Sequence, residues 1–291
     1  MYTFAPELGI DHILKIFTSK QELSGHLDNL KGQGKSIGFV PTMGALHMGH
    51  LSLIEIAKKL TDIVVCSIFV NPTQFNDPKD LELYPRPIEA DTIKLREANC
   101  DILFLPSTGE MYAGTETWHI DLGYIETILE GKFRPGHYQG VTQIVKKLFD
   151  VVLPDKAFFG QKDFQQVKVI SKMIEIYKMP VEIVTCPILR ESDGLAMSSR
   201  NIHLSGTERI QALALSHTLQ ITRENAPFKT LNDLKALAEE YLTNSDGVDL
   251  EYFEICDTET LLPAKDTSTS LVALVAAKVG KTRLIDNIII K

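Results

Sequence analysis

Two histidines three residues apart, His47 and His50, sit in the stretch Pro41-Thr42-Met43-Gly44-Ala45-Leu46-His47-Met48-Gly49-His50. The apolar run Ile37-Gly38-Phe39-Val40 before it reads as a buried strand, and residues 51–60 after it carry apolar side chains at helical spacing. A strand, a glycine-bearing turn and a helix start therefore meet in one place. A helix N-terminus has unpaired N–H groups and a partial positive charge, which suit phosphate. Imidazoles beside it can donate to the same oxygens, and Gly44 and Gly49 let a nucleotide approach the backbone. By itself the turn also fits a capped helix with two surface histidines.

Further polar residues stand in loops that follow strand-like runs. Gln74, in Asn71-Pro72-Thr73-Gln74-Phe75-Asn76, offers a donor and an acceptor to a ligand with hydroxyls and a carboxylate; a plain turn is the alternative. In Gly160-Gln161-Lys162-Asp163-Phe164-Gln165-Gln166, Lys162 can neutralise a phosphate. Asp163 there can cap a helix or hold a ribose hydroxyl, and Gln166 falls one turn further on. Ser198, Ser199 and Arg200 close Arg190-Glu191-Ser192-Asp193-Gly194-Leu195-Ala196-Met197-Ser198-Ser199-Arg200-Asn201, where two hydroxyls beside an arginine suit a mobile phosphate clamp; a serine-rich linker is the alternative. Residues 131–140, glycine-rich and polar, read as a loop leading into a helix: a lid or anion site, or equally an ordinary loop.

The elements that must position these residues alternate. Strand patterns over 62–70, 101–106, 157–160 and 181–186 interleave with helical patterns over 87–99, 138–152 and 163–177. This predicts a doubly wound parallel α/β sheet over residues 1–187, whose ligands gather outside the carboxyl ends of the strands. Helices over 207–222 and 230–243 and strands over 250–256, 270–277 and 282–290 predict a smaller C-terminal α+β domain over 188–291.

Composition is that of a soluble globular protein: 44% hydrophobic and 23% charged over 291 residues. No apolar run reaches the roughly 18 residues needed to span a bilayer, and residues 1–10 lack the basic start and apolar core of a signal peptide. A cytoplasmic protein is expected. The net charge of −8 opposes a broad nucleic-acid surface. Cys66, Cys100, Cys186 and Cys256 are far apart in sequence, so buried free thiols are expected rather than disulfides or a metal site. Gly34-Lys35-Ser36 and Gly280-Lys281-Thr282 resemble the end of a P-loop but lack its first glycine, and neither a zinc helix nor a nucleophile elbow is present.

Six motifs in order carry a resemblance: Pro41 to His50, Phe69-Val70-Asn71-Pro72-Thr73-Gln74-Phe75, Tyr84-Pro85-Arg86, Arg134-Pro135-Gly136-His137, Gly160-x-Lys162-Asp163-Phe164-Gln165-Gln166, and Asp193 to Asn201. From about residue 11 to the C-terminus the chain resembles the pantoate–β-alanine ligases (pantothenate synthetases), within the nucleotidyltransferases that share a His-x-Gly-His turn. The resemblance implies a Rossmann-like nucleotidyltransferase domain, a smaller C-terminal domain, a homodimer and two chemical steps. The carboxylate of (R)-pantoate attacks the α-phosphate of Mg-ATP, and the amine of β-alanine then displaces AMP from the acyl adenylate.

By the same resemblance Met43, Gly44, Ala45, Leu46, His47, Met48, Gly49 and His50 line the ATP site, with His47 and His50 donating to phosphate and His50 the leading proton donor. Lys162, Ser198, Ser199 and Arg200 would hold the triphosphate, with Met197 and Gln161 beside them. Gly160 and Asp163 would meet the nucleoside, and Leu189 the adenine through its backbone. Gln74 and Gln166 would bind pantoate, Gln74 also lying near β-alanine, with Val141, Ile144 and Val145 as an apolar wall. Gln161 stands where the family usually has Glu, and Pro87 where Thr is common; Asp91 is a weak candidate to order Mg²⁺, and no residue is assigned as a metal ligand. Three other readings remain: nucleotidyl transfer to a phosphorylated acceptor, a tRNA-charging fragment, and a non-catalytic ATP sensor. The first does not need Gln74 and Gln166, the net charge of −8 and the lack of a basic anticodon-type domain oppose the second, and the third would bind ATP without pantoate-dependent pyrophosphate release.

Overall fold

The computed structural model describes residues 13–75, 78–112, 114 and 116–290. The segment read as lacking a signal peptide, and Asn76 of the glutamine loop, lie outside the described residues. In chain order the first part contains β1 (Lys15–Phe17), α1 (Lys20–Gly32), β2 (Ile37–Thr42), α2 (Met48–Leu60), β3 (Ile63–Ile68), α3 (Pro78–Leu83), α4 (Ile88–Glu97), β4 (Ile102–Phe104), α5 (Thr108–Met111), α6 (Leu129–Phe133), α7 (His137–Val152), β5 (Lys156–Gly160), α8 (Phe164–Tyr177) and β6 (Glu182–Cys186). The rest contains α9 (Gly206–Asn225), α10 (Leu231–Thr243), β7 (Val248–Asp257), β8 (Leu271–Val279) and β9 (Thr282–Ile289).

The first six strands form one parallel sheet in the order β1-β4-β3-β2-β5-β6. Its central strands are apolar on both faces because both are covered. Phe39 and Phe159 point to the side packed by Leu23 and Leu27 of α1, Val141 to Phe149 of α7 and Ile170 of α8. Val40 and Phe158 point to the side packed by Leu53, Ile54 and Ala57 of α2 and Leu95 of α4. The expected doubly wound architecture is present, with β1 and α1 as additions that the sequence pattern did not show. The strand order reverses between β2 and β5. The crevice outside their carboxyl ends, next to Thr42 and Gly160, is where such a fold receives a ligand.

The second sheet is antiparallel, in the order β7-β8-β9. It is buried on both faces. Leu271, Ala273, Val275 and Ala277 of β8 pack with Leu215 and Leu219 of α9 and Leu234 and Ala238 of α10. Val272 and Leu274, the alternate residues, join the core that also contains Phe159 and Phe164. A buried ion pair crosses the same contact. Arg283 of β9 grips the Glu130 carboxylate of α6 with two hydrogen bonds, of 2.6 and 2.7 Å, and Tyr252 of β7 donates a third at 3.0 Å. Burial pushes the Glu130 carboxyl up, but the Arg283 hydrogen bonds and charge carry it below its ordinary value.

The expected loop over 131–140 is partly helical. It contains the end of α6, a left-handed Gly136 (φ 79°) and the first turn of α7, which buries His137. All four cysteines are buried free thiols, and burial pushes Cys100 and Cys256 up to about 12. No helix among the described residues is long and apolar enough to cross a membrane.

Candidate active site

The turn after β2 is built around α2's unpaired N–H groups. His47 is the N-cap residue, and its Nδ1 accepts from the Gly49 N–H at 3.1 Å. His50 Nδ1 in turn accepts from the His47 N–H at 3.4 Å, closing a reciprocal capping box. A backbone N–H can only donate, so Nδ1 of each ring is the unprotonated nitrogen and the neutral ring carries its proton on Nε2. Burial lowers both rings, His47 to about 4 and His50 to about 3. For His47 the Lys162 and Lys94 charges add to the effect, and for His50 those of His47, Lys162 and Lys94 do so. Both rings are therefore neutral near pH 7, with an Nε2–H left for a ligand. Gly49 is required by closeness: a Cβ there would stand 2.9 Å from the His47 ring.

The preceding residues face the other way. Gly44 and Ala45 both have positive φ (86° and 50°), and the N–H groups of Ala45 and Leu46 converge on one point. That point is the Asp91 carboxylate, fully buried in the first turn of α4, which accepts from Ala45 N–H at 2.7 Å and Leu46 N–H at 2.8 Å. Lys94, three residues along the same helix, donates to the Leu46 carbonyl at 2.5 Å. Asp91, the weak Mg²⁺ candidate, is thus occupied in clamping the turn. Gly44 and Leu46 are buried in this turn, Ala45 is half-buried and Met48 is exposed; none of the four, expected along ATP, lines the cleft where most other expected residues meet.

One cleft gathers most of the other expected residues: Met43, His47, Gly49, His50, Gln74, Gly160, Lys162, Asp163, Gln166, Leu189, Met197, Ser198, Ser199 and Arg200. Val141, Ile144 and Val145 of α7 line it as well. These come from the carboxyl ends of β2, β3, β5 and β6 and from the hairpin beyond, as the loop positions predict. Gln161 is the remaining exception; its side chain turns away to Asn287. Asp163 holds the N-cap position of α8 but makes no side-chain cap bond, leaving its carboxylate exposed at the cleft. The paired glutamines of α8 diverge. Gln165 spends its amide on the Glu130 N–H and the Ile125 and Ile128 carbonyls, whereas Gln166 faces the cleft.

Gln74 is held from behind. Its carbonyl accepts from His137 Nδ1 at 2.9 Å, and Arg134 Nη1 donates to His137 Nε2 at 3.1 Å, which fits a neutral Nδ1–H ring. Burial, with the Arg134 charge second, lowers His137 to about 3. Asn71 Nδ2 reaches Gln74 Oε1 at 3.4 Å and the Gly140 carbonyl at 3.0 Å, and the Gln74 Nε2 contacts Met43 Sδ at 3.0 Å. The Arg190–Asn201 stretch, expected as a mobile clamp or linker, forms a hairpin with an Arg190–Ala196 bridge. Its turn is tied by Arg209 to Glu191 and Asp193, and its base by Arg190 to Asp286. Met197 N–H donates to the Leu189 carbonyl at 3.0 Å, so that carbonyl already has one partner. Ser199 Oγ lies 3.4 Å from the hydroxyl of Tyr84, which belongs to the Tyr84-Pro85-Arg86 motif and has no role assigned from the sequence.

A sequence profile described as pantoate-beta-alanine ligase matches residues 15–289. A pantothenate synthetase from Bacteroides thetaiotaomicron is 46% identical over 277 residues, covering 94% of this chain and 98% of that protein. The crystal structure of pantothenate synthetase from Thermus thermophilus aligns with a TM-score of 0.90 at 40% identity, over 95% of this chain and 99% of that one. A pantoate-beta-alanine ligase from Francisella tularensis, complexed with β-γ ATP and β-alanine, aligns with a TM-score of 0.79 at 35% identity, over 95% and 98%.

Asp91→Asn tests the clamp. One of the two N–H groups then faces an amide NH₂, and a buried unpaired donor costs about 1–3 kcal/mol. A lower melting temperature and a kcat/KM for the ligase reaction lowered about tenfold are expected; an unchanged kcat/KM would remove Asp91 from the positioning of the turn. With a profile match over nearly its whole length and relatives above 40% identity, the chain belongs to the pantoate-beta-alanine ligase family, and it is a ligase that forms an amide bond.

Proposed function

We propose that this cleft condenses (R)-pantoate with β-alanine through a pantoyl adenylate, and that its residues divide the work as follows. The observation that carries the reading is the joining of two chemistries in one cleft. Lys162, Arg200 and the two imidazoles line the same cleft as the amides Gln74 and Gln166 and the apolar residues Val141, Ile144 and Val145 of α7. Mg²⁺ enters with ATP as part of the substrate.

A carboxylate is a weak nucleophile and the triphosphate repels it. Adenylation therefore needs the phosphate charge neutralised and the attack held in line. Gln74 and Gln166 orient pantoate through its hydroxyls and carboxylate. One carboxylate oxygen forms the bond to Pα, the Pα–O–Pβ bond breaks, and pyrophosphate leaves with the electron pair towards Lys162, Ser198, Ser199 and Arg200. His47 and His50 give hydrogen bonds from Nε2 to phosphate oxygens. Because His50 is neutral in the free site, it donates a hydrogen bond first, and proton donation requires the negative charge that ATP brings. Gly160 and Asp163 meet the nucleoside, and Leu189 the adenine.

In the second step the free amine of β-alanine attacks the acyl carbon, the bond to the phosphate oxygen breaks, and AMP leaves while the nitrogen gives up its proton. The bound β-alanine of the Francisella tularensis relative supports a site for that amino acid here. The Ser198–Arg200 segment shields the adenylate from water. The family setting also supports a homodimer and a cytoplasmic location.

Pyrophosphate release from Mg-ATP with (R)-pantoate alone, followed by AMP and pantothenate only after β-alanine is added, is the expected result. ATP binding without pantoate-dependent pyrophosphate would mean that the acceptor is a different molecule. In the same assay His50→Ala should abolish adenylation with the fold intact. Wild-type turnover in that variant would take His50 out of the mechanism.

A further inference from the structure

Asp286 and Asn287 are neighbours on β9, only 4% and 1% exposed, and each reaches a different wall of the cleft. Asp286 receives Arg190 through two hydrogen bonds, of 2.7 and 3.1 Å, at the base of the hairpin that ends in Ser198–Arg200. Asn287 reaches the turn after β5. Its Nδ2 donates to the carbonyls of Gln161 at 3.0 Å and Lys162 at 2.9 Å, and its Oδ1 accepts from Gln161 Nε2 at 3.1 Å. Both donor hydrogens of this amide, and its acceptor, are therefore used.

The choice of carbonyls matters. Those of Gln161 and Lys162 belong to the two peptide groups on either side of the Lys162 Cα. One side chain that binds both fixes the φ and ψ of Lys162, and with them the direction in which its side chain leaves the backbone. The turn itself is short, one 3₁₀ turn between β5 and α8, and Asp163 adds no side-chain cap that would hold it. A long lysine side chain is useful as a fixed point charge only when its root is fixed. The Arg190–Asp286 pair next to it ties the opposite wall to the same strand.

We infer that Asn287 is a positioning residue for the Lys162 ammonium in the nucleotide site, and that the Asp286–Asn287 pair makes β9 the strut between the two phosphate-facing walls. The inference rests on the assignment of Lys162 to the triphosphate. A merely structural asparagine would lower stability and affect nucleotide binding equally whether or not Lys162 is present, whereas a positioning residue acts through it.

The test is a double-mutant cycle on binding of Mg²⁺ with β,γ-methylene-ATP, measured by calorimetry on the full chain, with circular dichroism to confirm folding. Asn287→Ala should weaken binding about tenfold when Lys162 is present and by under about twofold in the Lys162→Ala background. Equal losses in the two backgrounds, or none in either, would overturn the positioning role. If Lys162→Ala alone leaves binding unchanged, the assignment of Lys162 fails first and the inference with it, a distinguishable result. Asn287→Ser, which retains a single donor in a smaller side chain, should fall between wild type and alanine, and it carries the cycle should the alanine variant not fold. Asn287→Asp, equal in size, sets an oxygen against both carbonyls and should weaken binding at least as much as alanine; binding equal to wild type in that variant would contradict the inference.

Discussion

The first turn of α2 has more backbone donors than the helix can use, and two imidazoles take up two of them. From that follows most of what the site can do. Once Nδ1 of His47 and His50 accepts from the Gly49 and His47 N–H groups, the remaining proton of each neutral ring can only be on Nε2. Burial and the neighbouring lysines keep the rings uncharged. The turn that holds them is gripped from below by a buried carboxylate, which spends both oxygens on the successive N–H groups of Ala45 and Leu46. The helix terminus, the clamp and the rings form one hydrogen-bonded unit, so the donors are in place before a ligand arrives.

A parallel sheet provides only one side of such a site. The strand-order reversal between β2 and β5 opens the crevice and sets the histidine turn against the lysine turn. The opposite wall comes from the hairpin after β6, and its anchor is the C-terminal sheet, through Arg190–Asp286. The antiparallel sheet does more than cover the crevice. Its own core alternates between its helices and the first sheet's core, and the Glu130–Arg283 pair crosses the contact. Movement of β9 would be felt both at the lysine turn and at the hairpin after β6.

Much of this was legible in the sequence because the informative residues lie close together along the chain. The strand, turn and helix around His47 and His50 span little more than twenty residues, and their chemistry is local. The loops carrying Gln74, Lys162 and Ser198–Arg200 each follow a strand pattern, which is enough to place them at one end of the sheet. The residues that hold those loops were not legible, because their partners are distant. Asp91 meets Ala45 across 46 positions, and Asn287 meets Gln161 across 126. An aspartate in a helix's first turn reads equally as a dipole-compensating surface residue. Local pattern also failed at α1, where Leu23 and Leu27 are the buried residues on a mostly polar helix, and at β1, three residues long and mostly exposed. The 131–140 segment has too many glycines to suggest that it would bury a histidine.

The central claim is that the site presents two neutral imidazoles whose free protons are fixed on Nε2 by the helix cap. Nitrogen NMR of the histidine-labelled free protein, followed from about pH 8 down to about pH 5, tests it directly. His47 and His50 are expected to keep the Nε2–H form across that range, with protonation only as the pH nears about 4 and about 3 respectively. If either ring gained charge near the ordinary histidine value, or carried its proton on Nδ1, the capping box would not be what sets the donors, and the claim would fail at its foundation.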